Sequence, residues 1–148
     1  MALIENKKAH FDYEILEKYE AGIQLMGFEV KSLKMKRGSL AGAHVIIRGG
    51  EAYIVGMEIP PYQPKNIPKD YDPSRTRKLL LKKKEIDYLF GKSNQRGLTL
   101  APICVYTKGS ILKLSFGVAR GLKKYDKREK IKKRDTGRDT ERDIKLRG

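Results

Sequence analysis

The chain has 148 residues, enough for one domain with a tail, and 39% of them are apolar, so part of it should bury a core. Lysine and arginine number 33 against 18 aspartates and glutamates, a formal net charge of +15, which points to a polyanionic partner, either nucleic acid or an acidic membrane surface. No stretch approaches the roughly 18–20 consecutive apolar residues that span a bilayer, the N-terminus lacks a signal-peptide core, and the lone Cys104 excludes an internal disulfide and a multi-cysteine zinc site. A soluble cytoplasmic protein is expected.

In chain order, "ENKKA" (residues 5–9) presents Asn6, Lys7 and Lys8, either as a solvated arm or as part of a polyanion contact. In "YEILEKYEAGIQL" (13–25), Tyr13, Ile15, Glu17, Tyr19, Ala21, Ile23 and Leu25 share one phase of a period-two pattern. A helix through Leu16, Tyr19 and Ile23 is the alternative, but Gly22 and the β-branched residues favour a strand. "EVKSLKMKR" (29–37) reads as a short helical turn. "AHVIIRGGEAYIVGMEI" (43–59) reads as a hairpin, with Gly49 and Gly50 in a turn that needs positive φ. Five prolines within residues 60–73 rule out a regular interior element and predict a long surface loop. "KKKEIDYLFGKSNQRG" (82–97) is the best-marked helix, with Ile86, Leu89 and Phe90 as its apolar stripe. "PICVYTKGSILKLSFGVA" (102–119) is a second hairpin, turning at Lys108 and Gly109. Short strands, glycine turns and one clear helix predict a mainly β fold: a closed β-barrel of the oligonucleotide-binding type with flanking short helices.

After Gly121 the character changes. Residues 121–148 carry 12 lysines and arginines against 6 acids, a net of +6, with only Leu122, Tyr125, Ile131, Ile144 and Leu146 as large apolar or aromatic groups. So little apolar surface does not offset an ordering cost of roughly 1–2 kcal/mol of backbone entropy per residue. Yet Asp126 and Lys130, Glu129 and Lys133, and Glu141 and Lys145 are acid-before-base pairs at helical spacing. As a helix the segment would line up Lys123, Lys127, Lys130 and Arg134. The expectation is a barrel domain at 1–120 and a basic tail at 121–148, disordered alone and helical once a polyanion neutralises that stripe.

No catalytic constellation is visible. His10 and His44 lie in unrelated contexts, and there is no phosphate-binding glycine loop or nucleophile elbow. Cys104 in "PICVY" reads as a buried strand thiol rather than a nucleophile. A nucleic-acid-processing enzyme would need a metal-binding carboxylate cluster, and Asp70 with Asp72 is a pair without further ligands. No cofactor and no metal are expected. In "RTRKLLLKKKE" (75–85), an extended chain puts Arg75 and Arg77 on one face, with Leu79 and Leu81 continuing that phase into the core. Guanidinium groups suit phosphate and base-edge contacts.

Taken together, "ENKKA", "DYEILEKYEAGIQLMGFEVKSL", "DPSRTRKLLLKKKEI" and "GVARGLKKYDKR" are similar to the small protein B family, the SsrA (transfer-messenger RNA) binding proteins of bacteria. The resemblance runs from Glu5 to about Arg134. It implies a non-enzymatic RNA adaptor, a monomer without a membrane partner, that grips the tRNA-like domain of transfer-messenger RNA. The adaptor supports aminoacylation of that RNA and enters the vacant A site of a stalled ribosome with it and elongation factor Tu. The ribosome is then rescued and the incomplete product tagged for degradation.

By motif, the resemblance implies an RNA-facing group of Asn6, Lys7, Glu20, Arg77, Leu80 and Lys113, with Arg75 and Lys78 of the same basic stretch as further candidates. Glu20 would accept hydrogen bonds from base amino groups. The implied ribosome-facing group is Gly121, Lys123, Lys124, Tyr125, Asp126, Lys127, Arg128 and Lys130, entering the decoding centre and the mRNA channel. Tyr125 would stack on a base and Gly121 would act as a hinge. Ile144 and Leu146 are the candidates for an apolar pair near the end of the tail, with Gly137 interrupting a helix before them. Relatives read Arg-Ala-Gly-Lys after "EVKSL", whereas residues 34–37 here are "KMKR", without the glycine. A general RNA-binding protein with no preference for one RNA is the competing reading.

Overall fold

A computed structural model describes residues 2–63, 65 and 67–122. The expected tail residues Lys123, Lys124, Tyr125, Asp126, Lys127, Arg128, Lys130, Ile144 and Leu146 lie outside the described residues. The element order is β1 (Ala2–Glu5), α1 (Lys7–Asp12), β2 (Tyr13–Ile23), α2 (Gly27–Lys34), β3 (His44–Arg48), β4 (Glu51–Val55), β5 (Arg77–Leu80), α3 (Lys83–Ser93), β6 (Leu98–Lys108) and β7 (Ile111–Gly121).

All strand pairs are antiparallel, in the order β1-β6-β3-β4-β5-β2-β7, and β7 pairs back onto β6. Six strands therefore bond in a ring, with β1 added to β6 outside it. Alternation sets what faces the ring's interior. In β7, Leu112, Leu114, Phe116 and Val118 are buried, while Lys113 and Ser115 on the other phase are only half-buried. Leu33, Val45, Ile54, Leu79, Leu89, Leu100, Val105, Leu114 and Phe116 belong to one continuous core. In β2 the predicted phase runs up to Ile23, with Leu25 beyond the strand but packed on the core.

A turn and a close approach fix local sequence. Gly49 and Gly50 turn β3 into β4 with φ of 60° and 75°, the paired left-handed conformation of a tight hairpin. Gly117 on β7 faces a bulge of β2 between Ile15 and Glu17, where a Cβ would lie 2.5 Å from the Glu17 carbonyl oxygen.

Several expectations need correction. The second hairpin turns at Gly109 and Ser110, since Lys108 already pairs with Ile111. In α3 only Leu89 is buried. Phe90, the next residue and so about 100° further round the helix, is 51% exposed, and Ile86 is half-buried. Cys104 is half-buried, with burial and then Glu5 raising its thiol pKa. The basic N-terminal arm is built into the fold as β1 and α1. One edge of β6 is shared, β3 pairing at Leu100 and β1 from Cys104 onward. Pro102, without an N–H, sits at the changeover. Asn6 closes the gap: its amide N–H bonds the Ile103 carbonyl at 2.8 Å and its side chain donates to the Pro102 carbonyl at 3.0 Å. No helix among the described residues is long and apolar enough to cross a membrane.

Candidate nucleic-acid interface

The two arginines of "RTRKLLL" do not form an open phosphate site. In α2, Glu29, Ser32 and Leu33 recur at helical spacing and all face inward, carrying a carboxylate into the interior. Arg77 meets it there with none of its side chain exposed. Its Nε and Nη2 donate to Glu29 Oε2 at 2.8 and 2.6 Å, and the remaining N–H groups reach the carbonyls of Met57, Arg75 and Pro73 and the Tyr71 hydroxyl. Arg75, 28% exposed, donates to Glu29 Oε1 at 2.5 Å and Oε2 at 3.2 Å. Tyr71 Oη and the Met26 amide also donate to the same carboxylate. Burial by itself raises the Glu29 carboxyl pKa, but hydrogen bonds from Arg75, the Met26 amide and Arg77 outweigh it and hold it at about 2. This cluster ties the proline loop to α2. Arg77 is a core residue with every donor used inside, so the structure places it in the interior rather than on an open surface.

Asn6 is likewise 7% exposed and spent on sealing β6. Lys7, at the start of α1, is exposed.

The other expected residues do converge. A groove of about 630 Å³ is lined by Glu20, Gly50, Glu51, Lys78, Leu79, Leu80, Leu81, Lys82, Glu85, Ile86 and Lys113. Strand register explains the convergence. Gly22 on β2 is opposite Lys113 of β7 on one side and Leu80 of β5 on the other. With no side chain of its own, Gly22 leaves room for Leu80, whose Cβ would be 3.4 Å from a Cβ there. Leu80 is 55% exposed, an apolar surface at the groove rather than part of the core. Glu20 lies two residues before Gly22 on the same face.

Charge is arranged around that surface. Lys78 pairs with Glu51 at 3.0 Å, while Lys82 and Lys113 make no ion pair among the described residues. Glu20 accepts from Tyr106 Oη and from Lys108 Nζ, the latter at 3.0 Å. Those two hydrogen bonds, Tyr106 first, lower the Glu20 carboxyl pKa, so the group is ionised at neutral pH. Gly121 ends β7 opposite Tyr13, and the Leu122 amide bonds the Asp12 carbonyl, so the chain leaves from the β2 end of the ring. Sequence reasoning missed Glu29, Tyr106, Lys108, Lys82 and Ile86. The alternation of "CVYTK" does contain a signal for two of them, since Tyr106 and Lys108 share the phase opposite buried Val105. Among the described residues no three His, Cys, Asp or Glu side chains come together to hold a metal.

Free lysines, an exposed leucine and an ionised glutamate suit phosphates, a base face and a base amino group in turn. A solved chain from tmRNA-SmpB at the center of the bacterial ribosome is similar to this one, with TM-score 0.68 and 42% identity over 86% of this chain and 93% of that one. The SsrA-binding protein of Gloeobacter violaceus is 51% identical over 95% of this chain and 91% of its own. Those of Gloeothece citriformis and Carboxydothermus hydrogenoformans are 48% and 47% identical, covering 97% and 98% of this chain and 92% and 97% of theirs. The SmpB protein family profile matches residues 3–146, and with relatives this similar along nearly its whole length the chain belongs to the SmpB family.

Proposed function

We propose that this chain is the SsrA-binding adaptor of trans-translation, a non-enzymatic protein that binds the tRNA-like domain of transfer-messenger RNA. One observation carries the reading: SsrA-binding proteins are 47–51% identical to it across 95–98% of its length. The adaptor promotes aminoacylation of that RNA and delivers it, with elongation factor Tu, to the A site of a stalled ribosome in the bacterial cytoplasm. Rescue of the ribosome and tagging of the incomplete product follow. The ring of strands is a closed barrel of the oligonucleotide-binding type, spanning 1–120 as the RNA-binding domain and acting as a monomer.

The groove supports an RNA-facing role for Glu20, Lys78, Leu80 and Lys113, with Lys7 as an outlying phosphate contact. Lys78, Lys82 and Lys113 neutralise phosphates, Leu80 supports an unstacked base, and Glu20 accepts from a base amino group. Arg75 keeps part of its guanidinium at the surface and contributes from the edge. Residues 121–148 are the ribosome-binding tail, turning at Gly121, where an added Cβ would meet no described atom within 4 Å. Its Lys123, Lys124, Tyr125, Asp126, Lys127, Arg128 and Lys130 engage the decoding centre and mRNA channel, with Ile144 and Leu146 as the distal apolar pair.

The test is binding of the full chain to the tRNA-like domain beside an unrelated structured RNA of equal length, across a salt series. A margin of about a hundredfold for the first RNA, roughly 2.7 kcal/mol, is expected. Glu20→Ala should remove it, and truncation after Arg120 should leave it. Lys113→Ala should lower both affinities alike and reduce the salt slope by about one. Equal binding of both RNAs, with most affinity lost on truncation, would reduce the chain to a generic phosphate clamp.

A further inference from the structure

We propose that Tyr106 is a positioning residue for Glu20, its hydroxyl fixing the carboxylate so that the unoccupied lone pairs face the groove. This rests on the reading of Glu20 as an RNA contact. Tyr106 is on β6 and Glu20 on β2, two strand spacings or about 10 Å apart, with β7 between them. The ring reaches Glu20 because of what β7 carries there. Ser115 is directly opposite Glu20 on one side and Cys104 on the other, so the row to be crossed holds only small side chains. Tyr106 itself is opposite Lys113, a residue of the groove's lining, which in turn is opposite Gly22 of β2.

Two donors hold Glu20, and they are not equivalent. Lys108 is 66% exposed on a long flexible stem, and its pair with Glu20 is open to solvent and salt. Tyr106 is half-buried, with two rotatable bonds and a neutral donor that salt does not screen. A carboxylate offers about four lone-pair positions. One is taken by the tyrosine and one by the lysine, and the rest stay open to a base amino group. Without the hydroxyl, Glu20 is free to turn toward Lys108 and the nearby charge of Lys113, and the acceptor geometry presented to RNA is lost.

The experiment uses full-length Tyr106→Phe, Glu20→Ala and the double variant, each binding the tRNA-like domain at one salt concentration. Tyr106→Phe should weaken binding about fivefold with an unchanged thermal midpoint, and should add nothing in the Glu20→Ala background. Carboxyl-carbon NMR titration without RNA should show Glu20 protonating at higher pH once the hydroxyl is gone. Wild-type affinity in Tyr106→Phe beside a weakened Glu20→Ala overturns the positioning role while leaving the adaptor reading intact. An equal loss in both backgrounds makes Tyr106 an RNA contact in its own right and also overturns it. An unchanged Glu20 titration does the same. Wild-type affinity in Glu20→Ala removes Glu20 from the RNA surface, and the positioning role falls with it.

Discussion

Replacing Glu29 with glutamine keeps the side chain's shape but removes the charge that two arginines share. One acceptor oxygen becomes an amide donor aimed at guanidinium groups, and Arg77 is left fully buried without an anion. The magnitude follows from protonation. Folded, the carboxyl stays ionised down to about 2, against an ordinary 4.5. At about 1.36 kcal/mol per pH unit, that gap contributes about 3 kcal/mol at neutral pH. Removing one partner of a buried ion pair independently costs about 3–5 kcal/mol. The two routes agree, so Glu29→Gln should lose about 3–4 kcal/mol and lower the thermal midpoint by about 10–15 °C. Because the folded pKa is depressed, the stabilisation is fully present above 4.5 and disappears as the pH falls toward 2. Urea unfolding of both proteins, stepped from neutral pH down to about pH 3, reads this directly as a gap that narrows through the acid range. A gap under about 1 kcal/mol at neutral pH, or one that stays constant in acid, would refute the reasoning.

Two further substitutions test the backbone. Gly117→Ala puts a methyl 2.5 Å from the Glu17 carbonyl oxygen and 2.7 Å from Ile15 Cγ2. It should cost about 2–3 kcal/mol in chemical unfolding; a neutral result would mean the β2 bulge relaxes freely. Lys36 is the only described non-glycine residue with positive φ, at 61°, a conformation that favours glycine. Lys36→Gly should therefore stabilise the fold by about 0.5–1 kcal/mol, the relief of left-handed strain exceeding the added entropy of the unfolded chain. Thermal unfolding measures it, and a loss of stability would show that the lysine side chain supplies a compensating contact.

The parts of the fold that rest on alternation and turn chemistry are legible in the sequence. β2, both hairpins and the Gly49-Gly50 turn all follow from period-two patterns broken by glycine. What is not legible depends on partners distant in the chain. Arg77 sits in the expected phase with Leu79, and that phase leads inward, yet its acceptability in a core depends on Glu29, 48 residues away. Sequence reading treats the arginine as a surface cation because nothing local neutralises it. Asn6 is similar: its value lies in sealing a gap left by Pro102, 96 residues on. Phe90 fails in the opposite direction, since its stripe is wider than the strip of α3 that meets the ring. The groove is half legible. Glu20, Lys78, Leu80 and Lys113 come together through register that no single segment reveals, and the donors on β6 that hold Glu20 are invisible until β7 is placed between them.

The fold divides its arginines and lysines into two classes with different availabilities. On Glu29, Arg77 is fully buried and Arg75 is 28% exposed, and breaking the buried Arg77 pair costs about 3–5 kcal/mol. Around the groove the pairs are open: Lys78 with Glu51 has side chains 37% and 43% exposed, and Lys108 with Glu20 has 66% and 46%. Such solvent-exposed pairs contribute little, so a phosphate can draw the lysine away at little cost. Exchange of a lysine also leaves its former carboxylate free to accept from a base. On the proposed RNA-facing role of Glu20, that is useful only while something else still holds the group in place. A neutral hydroxyl serves where a second lysine would not, because RNA phosphates do not compete for it.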